Sequence, residues 1–436
     1  MVAVAAMPDR MPGTGWPWLG ADPGPVRDLT VRLMPFVVLV CITALCGGAL
    51  FVRGRYAIPN AAPAVMNLVW IAALVFVGAR FGWQESAAGG ADAVFARQWD
   101  MARLLAWGVL LGGVVQLLLH GPVLARSGLL VARKQEAGSA RPPAHASRSA
   151  LAVLKASAPL ALGAAVYQIN VMIDGLMAES LLTDGGPTAL YYANRVQQFP
   201  LALVATAAIA SVFPKLKAHG HLRELGPLRE LHDRSQLAVL FLSLPAAAGL
   251  IALATPLADV LFGHGNFGPA GVERVGEALA MLAVALVPAG AVGLMGRTYI
   301  ALGDARTPVV VSSWMVLLNV LLNLAFVRGL GLDVAGFGLA TACTSWGNLL
   351  WLAVGLRRRL GLPVGLPALP ERALRILFAA AVTGGLARLV QLQLVEPVGT
   401  LGAVVGAIVA GVAGFVAVAQ ALELPELAAI RQRLRR

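Results

Sequence analysis

Apolar runs of about twenty residues follow one another along almost the whole of this chain, and a helix needs about that length to cross roughly 30 Å of hydrocarbon. Eleven such runs are legible, approximately Leu29 to Val52, Asn60 to Phe81, Met101 to Leu124, Ser149 to Leu182, Pro187 to Phe213, Gln236 to Phe262, Val272 to Leu302, Thr307 to Val327, Val334 to Leu356, Arg372 to Val390 and Gly399 to Leu422. Within lipid, backbone polar groups must be satisfied internally, which leaves helices and closed barrels. These runs are too long and too uniformly apolar for the alternating strands of a barrel. The expected fold class is all-α, a polytopic membrane protein with about eleven transmembrane helices.

With 58% hydrophobic and 13% charged residues, the chain is far from the about 45–50% and 25% of a soluble domain. A net charge of +12 would suggest nucleic acid in a soluble protein. Here the Lys and Arg residues gather in the segments after the odd-numbered spans, including Arg357-Arg358-Arg359 and the tail from Arg431 to Arg436. Basic residues near span ends stay cytoplasmic, so the bias predicts a cytoplasmic C-terminus and no nucleic-acid partner. The three cysteines, Cys41, Cys46 and Cys343, lie in apolar runs without metal-ligand spacing and are read as packing residues.

An odd span count would place the N-terminus outside, yet residues 1–28 are Pro- and Gly-rich and lack the pattern of an export signal. A weak internal repeat bears on this. Pro35, Arg53, Arg55, Pro59 and Asn67 in the first two spans find loose counterparts in Pro288, Arg306, Pro308, Asn319 and Asn323. If spans one to three repeat as seven to nine, spans four to six lack three partners upstream, and the expectation is an incomplete two-lobe transporter. The expected organisation is a non-membrane segment over 1–28, a partial N-lobe over 29–125, a linker over 126–148, a six-helix C-lobe over 149–358, two further helices over 370–422, and a basic tail over 423–436. The connection from Lys215 to Arg234 suggests a short helix at the membrane surface or a solvated loop.

Four basic residues fall within the spans. Arg32 and Lys155 lie close enough to span ends to snorkel to the headgroups. Arg195 and Arg297 lie deeper, where an unpaired cation is costly, and an anion site competes with a structural ion pair as the explanation. Asp174 is the deepest acid, while Asp259 lies nearer an end. Asp174 has two readings, pairing with an arginine or joining Asn319, Asn323 and Thr341 as oxygen ligands of a small cation. Asn319 and Asn323, four apart, share a helical face, and interhelical hydrogen bonding is their simpler role. No HExxH, GK[ST] loop or nucleophile elbow is present, so an enzyme is not expected. His219, His221 and His232 sit in a basic connection where a solvated or headgroup-facing role outweighs metal binding.

The stretch YYANRVQQFP (Tyr191 to Pro200), followed by VFPKL (Val212 to Leu216), strongly resembles the MurJ/MviN family of lipid II flippases within the multidrug/oligosaccharidyl-lipid/polysaccharide exporter superfamily. The same order holds for GRYAIPNAAPAVMN (Gly54 to Asn67), APLALGAAVYQINVMID (Ala158 to Asp174), LFGHGNF (Leu261 to Phe267), RTYIALGDARTP (Arg297 to Pro308) and LLNVLLNLAFV (Leu317 to Val327). The resemblance implies two six-helix lobes around a cationic cavity and two C-terminal helices forming a groove for a lipid tail, with this chain beginning at the family's fourth helix. It implies that Arg195 and Arg297, with Asn194 and Gln198 beside them, line the cavity that binds the substrate pyrophosphate. Asn194 and Gln198 stand where the family often has acids. It also implies a sodium site near Asp174, Asn319, Asn323 and Thr341, with Asn323 in place of an expected acid.

The function expected from this resemblance is alternating-access flipping of lipid-linked disaccharide-pentapeptide across the bacterial inner membrane for cell-wall synthesis. It needs no cofactor, and Na+ or the membrane potential would reset the carrier. Membrane lipids and the cell-wall synthesis machinery are the expected partners. Export of another polyprenyl-linked oligosaccharide or a drug, and a nontransporting envelope scaffold, are the alternatives.

Overall fold

The computed structural model describes residues 23–55, 57–82, 91–127, 165–166, 168–183, 185–204, 212–264, 267–360 and 369–428, and these contain helices and connections but no strand. The chain divides into two compact units, Met1–Ala144 and His145–Arg436. The linker expected over 126–148, and Lys155 with it, falls almost entirely outside the described residues, as do residues 1–22.

In the first unit, α1 (Pro23–Val52), α2 (Ala57–Phe81) and α3 (Ala91–Arg126) are joined by short connections, and α3 packs along both of the others. Its small residues permit this. Gly113 faces Phe36 on α1, while Gly108 and Gly112 face Ala73 and Met66 on α2. Lipid tails supply no hydrophobic drive between helices, so such close backbone approach is what holds them. Arg32 does not simply snorkel. Asp28 accepts from Arg32 Nε and Arg103 Nε at 3.0 Å each, so a carboxylate one turn away takes the charge instead of a lipid headgroup.

The described part of the second unit opens on helical residues 165–166 and 168–181, α4, and continues through α5 (Gly186–Val204), α6 (Phe213–His221), α7 (Leu225–Phe262) and α8 (Pro269–Ala301). Then come α9 (Arg306–Leu324), which ends in a π-helical turn over Ala325–Gly329, α10 (Val334–Leu360) and α11 (Leu369–Ala421). Eight described helices are long and apolar enough to cross a membrane. One of these, α11, is two membrane-length arms that meet at Gly399, whose φ of 72° and ψ of 172° lie in a positive-φ region that glycine alone enters freely. Counting both arms, and adding α4 and α5, each of the eleven expected spans has a helix over its described residues, which for the fourth and fifth are only part of the expected length.

The centre of the second unit is α8. Its best apolar window is 67% buried against 17–39% for the other candidate spans, because α5, α6, α7 and α10 all pack on it. Gly338 allows α10 a close approach: a Cβ there would lie 2.7 Å from Met281 Cβ. At the end of α8, Tyr299 is fully buried and donates its hydroxyl proton to the Leu352 carbonyl at 2.9 Å. Both arms of α11 lie along α7, with Phe241 and Phe415 tilted together at 4.9 Å.

The Lys215 to Arg234 connection holds a short helix, α6, as expected, but the start expected for the next span needs correction: α6 ends at His221, Arg223 takes a φ of 57°, and α7 starts at Leu225 rather than Gln236. The earlier start carries His232 into the α7–α8 interface, where it is 1% exposed and not solvated. Its Nδ1 lies 2.9 Å from Thr298 Oγ1, and because that hydroxyl donates to the Leu294 carbonyl at 3.2 Å, His232 is the donor.

The turn from α8 to α9 is clamped by Asp304. Its carboxylate caps α9 by accepting from the Arg306 and Thr307 backbone N–H groups at 3.1 and 3.0 Å, and it pairs with Arg359 of α10 at 2.6 Å. Burial pushes the Asp304 carboxyl up, but the Thr307 hydrogen bonds and Arg359 outweigh it and hold it below the ordinary value of 3.8. Stability from this clamp is therefore present at neutral pH and lost as the pH falls through that lowered value. Asp304→Asn should lower stability by about 1 kcal/mol at pH 7. Thermal unfolding at descending pH should show the variant and the parent converging.

Candidate functional site

Helix α5 carries the strongest candidate, and its helical period determines what it presents. Ala189, Leu190, Ala193, Gln197 and Val204 are buried, and Gln197 donates its side-chain N–H to the Leu282 carbonyl of α8 at 2.5 Å, pinning the helix. Tyr192 anchors it further by stacking on Phe262 at 4.3 Å. A second stripe, Tyr191, Arg195 and Gln198, faces outward one turn apart. Arg195 Nε donates to the Tyr191 hydroxyl at 3.1 Å, its Nη1 donates to Gln198 Oε1 at 3.4 Å, and its guanidinium carbon lies 5.0 Å from the Tyr191 ring centre.

Both partners are neutral, and no carboxylate lies within ion-pair distance of Arg195 among the described residues. They steer the fork without cancelling its charge, and guanidinium N–H groups remain available for an anion. Asn194 does not join this stripe. Its amide donates to the Leu190 carbonyl of its own helix at 3.0 Å, so its polar group is spent on the backbone. Tyr191 was not among the expected site residues. Its signal was an aromatic ring four residues before an intramembrane arginine.

Arg297 occupies a different place. Half-buried on α8, it donates Nη1 to the Gly293 carbonyl at 2.9 Å and has no carboxylate partner among the described residues. Gln197 is level with Leu282, and Arg297 lies 15 positions further along the helix than Leu282. At 1.5 Å per residue that is roughly 20 Å along α8, so Arg195 and Arg297 are two separate cationic stations and not one clamp.

The expected cation cluster is brought together in part. Asp174 of α4 accepts from Asn323 Nδ2 at 2.8 Å through Oδ1 and from Asn170 Nδ2 at 3.0 Å through Oδ2. The same Asn323 amide donates to Asn319 Oδ1 at 3.0 Å, and Asn319 is 3.5 Å from the Thr344 hydroxyl. Thr341 enters only through its backbone carbonyl, which accepts from Thr344 at 3.1 Å. Asn170 and Thr344 are thus members the sequence reading missed. Arg274 and Asp333 were missed as well. They form a two-pronged pair at 2.6 and 2.8 Å that fastens the start of α8 to the α9–α10 turn. Among the described residues, no group of three or more His, Cys, Asp or Glu side chains is placed to hold a metal ion.

Residues 27–417 match the family model described as Lipid II flippase MurJ. A Rhizobium meliloti protein named as a probable lipid II flippase MurJ is 30% identical over 352 residues, covering 80% of this chain and 60% of that protein. The Burkholderia cenocepacia Lipid II flippase MurJ is 29% identical over 365 residues, covering 83% and 66%. This chain therefore spans about three fifths to two thirds of the length of such relatives. A solved structure described as Lipid II flippase MurJ in an inward closed conformation superposes with a TM-score of 0.65 at 18% identity, covering 91% of this chain and 75% of that one. At that identity the likeness concerns the fold.

Proposed function

Because this chain belongs to the MurJ family of lipid II flippases, we propose that it carries a polyprenyl-linked disaccharide-pentapeptide across the bacterial inner membrane for cell-wall synthesis. The observation that carries the reading is Arg195, an intramembrane guanidinium held by a phenol and an amide and left without a counter-charge among the described residues. Moving a pyrophosphate through hydrocarbon unaided is prohibitive, because its charges would lose their hydration. A guanidinium stays ionised and binds phosphate oxygens through two parallel N–H groups. Gln198 and Tyr191 keep that fork aimed while adding only neutral dipoles.

Arg297, roughly 20 Å away along α8, serves as a second station that the headgroup meets at another stage of its passage. No bond is made or broken, so the protein works as a carrier and not as a catalyst, with no cofactor. The membrane potential resets the empty carrier, and the basic tail keeps the C-terminus in the cytoplasm. The enzymes that make the precursor and those that polymerise it are its functional neighbours.

Complementation tests this directly. The chain expressed in cells depleted of their lipid II flippase should restore growth and shape. Failure to do so, with the protein present in the membrane, would overturn the reading for this chain.

A further inference from the structure

The oxygens around Asp174 invite a bound cation, and the family resemblance implies sodium there, but the donors present do not fit one. Asp174 is the only carboxylate among the described residues of the cluster, and both of its oxygens already accept amide protons, from Asn323 and Asn170. Asn319 Oδ1 accepts the other proton of the same Asn323 amide. The Thr344 hydroxyl sends its proton to the Ala340 and Thr341 carbonyls, at 2.9 and 3.1 Å. Hard cations gather several free oxygens, with carboxylates supplying the charge. Here the point between Asp174 and Asn319 where an ion would bridge is filled by a nitrogen, 2.8 Å from one oxygen and 3.0 Å from the other.

We propose that the α4–α9 junction is a cation-independent lock, in which the side-chain amide of Asn323 holds Asp174 and Asn319 together in place of an ion. An amide nitrogen carries two protons, and the two acceptors use both. The orientation follows from the network. With Asp174 ionised and the Asn319 amide as it stands, turning the Asn323 amide over would set its Oδ1 against two other oxygens with no proton between them. In the orientation found, Asn323 Oδ1 is instead a buried acceptor without a partner among the described residues. The fold accepts that orphan in order to keep N–H groups on the carboxylate. The consequence is a tie between residues 149 positions apart that needs no sodium to close.

The inference is independent of the cargo, and its test uses no transport readout. The purified full chain is unfolded thermally in NaCl, KCl and choline chloride at equal ionic strength. The parent should melt at one temperature in all three salts. Asn323→Asp places a second carboxylate beside Asp174, and its repulsion creates a need for a cation. That variant should melt lower in choline and gain about 3–5 °C, saturably, with added Na+. Asn323→Leu should melt lower than the parent in every salt. A saturable, Na+-specific rise in the parent would overturn the proposal. So would an Asn323→Asp protein indifferent to Na+, or an Asn323→Leu protein as stable as the parent.

Discussion

Arg195→Ala should bind a lipid-linked pyrophosphate about 10²- to 10³-fold more weakly than the parent, and cells that rely on it should fail to grow. The estimate is that of losing one two-pronged, charge-assisted contact, about 3–4 kcal/mol. The fold should barely notice. Arg195 is exposed, and its partners Tyr191 and Gln198 sit on the same helix, so truncation leaves no buried group unsatisfied. The burial of Ala189, Ala193 and Gln197 holds α5 without it. Arg195→Lys keeps the charge but loses the fork, so it should fall between the two. Lipid-binding titration with purified protein, beside membrane abundance and thermal unfolding, separates this from a folding defect. Equal binding by Arg195→Ala and the parent would remove α5 from the substrate path.

Tyr299→Ala should have the opposite signature, a loss of about 3–5 kcal/mol of stability that reduces membrane abundance before it touches binding. Tyr299 is fully buried among Leu216, Leu294, Leu352 and Leu356, where α6, α8 and α10 meet. Its hydroxyl fastens α10 through Leu352, and its ring lies 5.6 Å from the guanidinium carbon of Arg359, the residue that closes the Asp304 clamp. Removing the ring opens a cavity and frees the clamp together. Tyr299→Phe isolates the hydroxyl and should cost about 1 kcal/mol, the net worth of one hydrogen bond to a carbonyl that its own helix also engages. Thermal unfolding of the three proteins orders them.

The helices were legible because hydrocarbon allows few solutions to a long apolar run, and the run from Val272 to Leu302 is α8 almost to the residue. The misjudged start of α7 shows where that logic stops. Leu228, Leu231, His232 and Ser235 recur at helical spacing, but the charged Arg229, Glu230, Asp233 and Arg234 between them masked the inward face. The Asp304 clamp and the Asp174–Asn323 tie join residues 55 and 149 positions apart, and no local pattern announces such partners. Asn319 and Asn323 could be paired from their four-residue spacing, whereas nothing local showed that Thr344, and not the expected Thr341, lies on the face of α10 that meets Asn319. Likewise, Arg195 and Arg297 were each recognisable as deep cations. Their separation emerged only once Gln197 was seen to fix α5 against Leu282.

The break at Gly399 has a consequence for how the protein is made. Both arms of α11 are apolar, and the turn between them comprises little more than Glu396, Pro397 and Gly399. Insertion of most helical pairs obliges the cell to pull a hydrophilic connector through the bilayer. Here there is almost no connector to pull, so the arms can enter lipid as a preformed hairpin late in synthesis and close onto α7 in a single docking step.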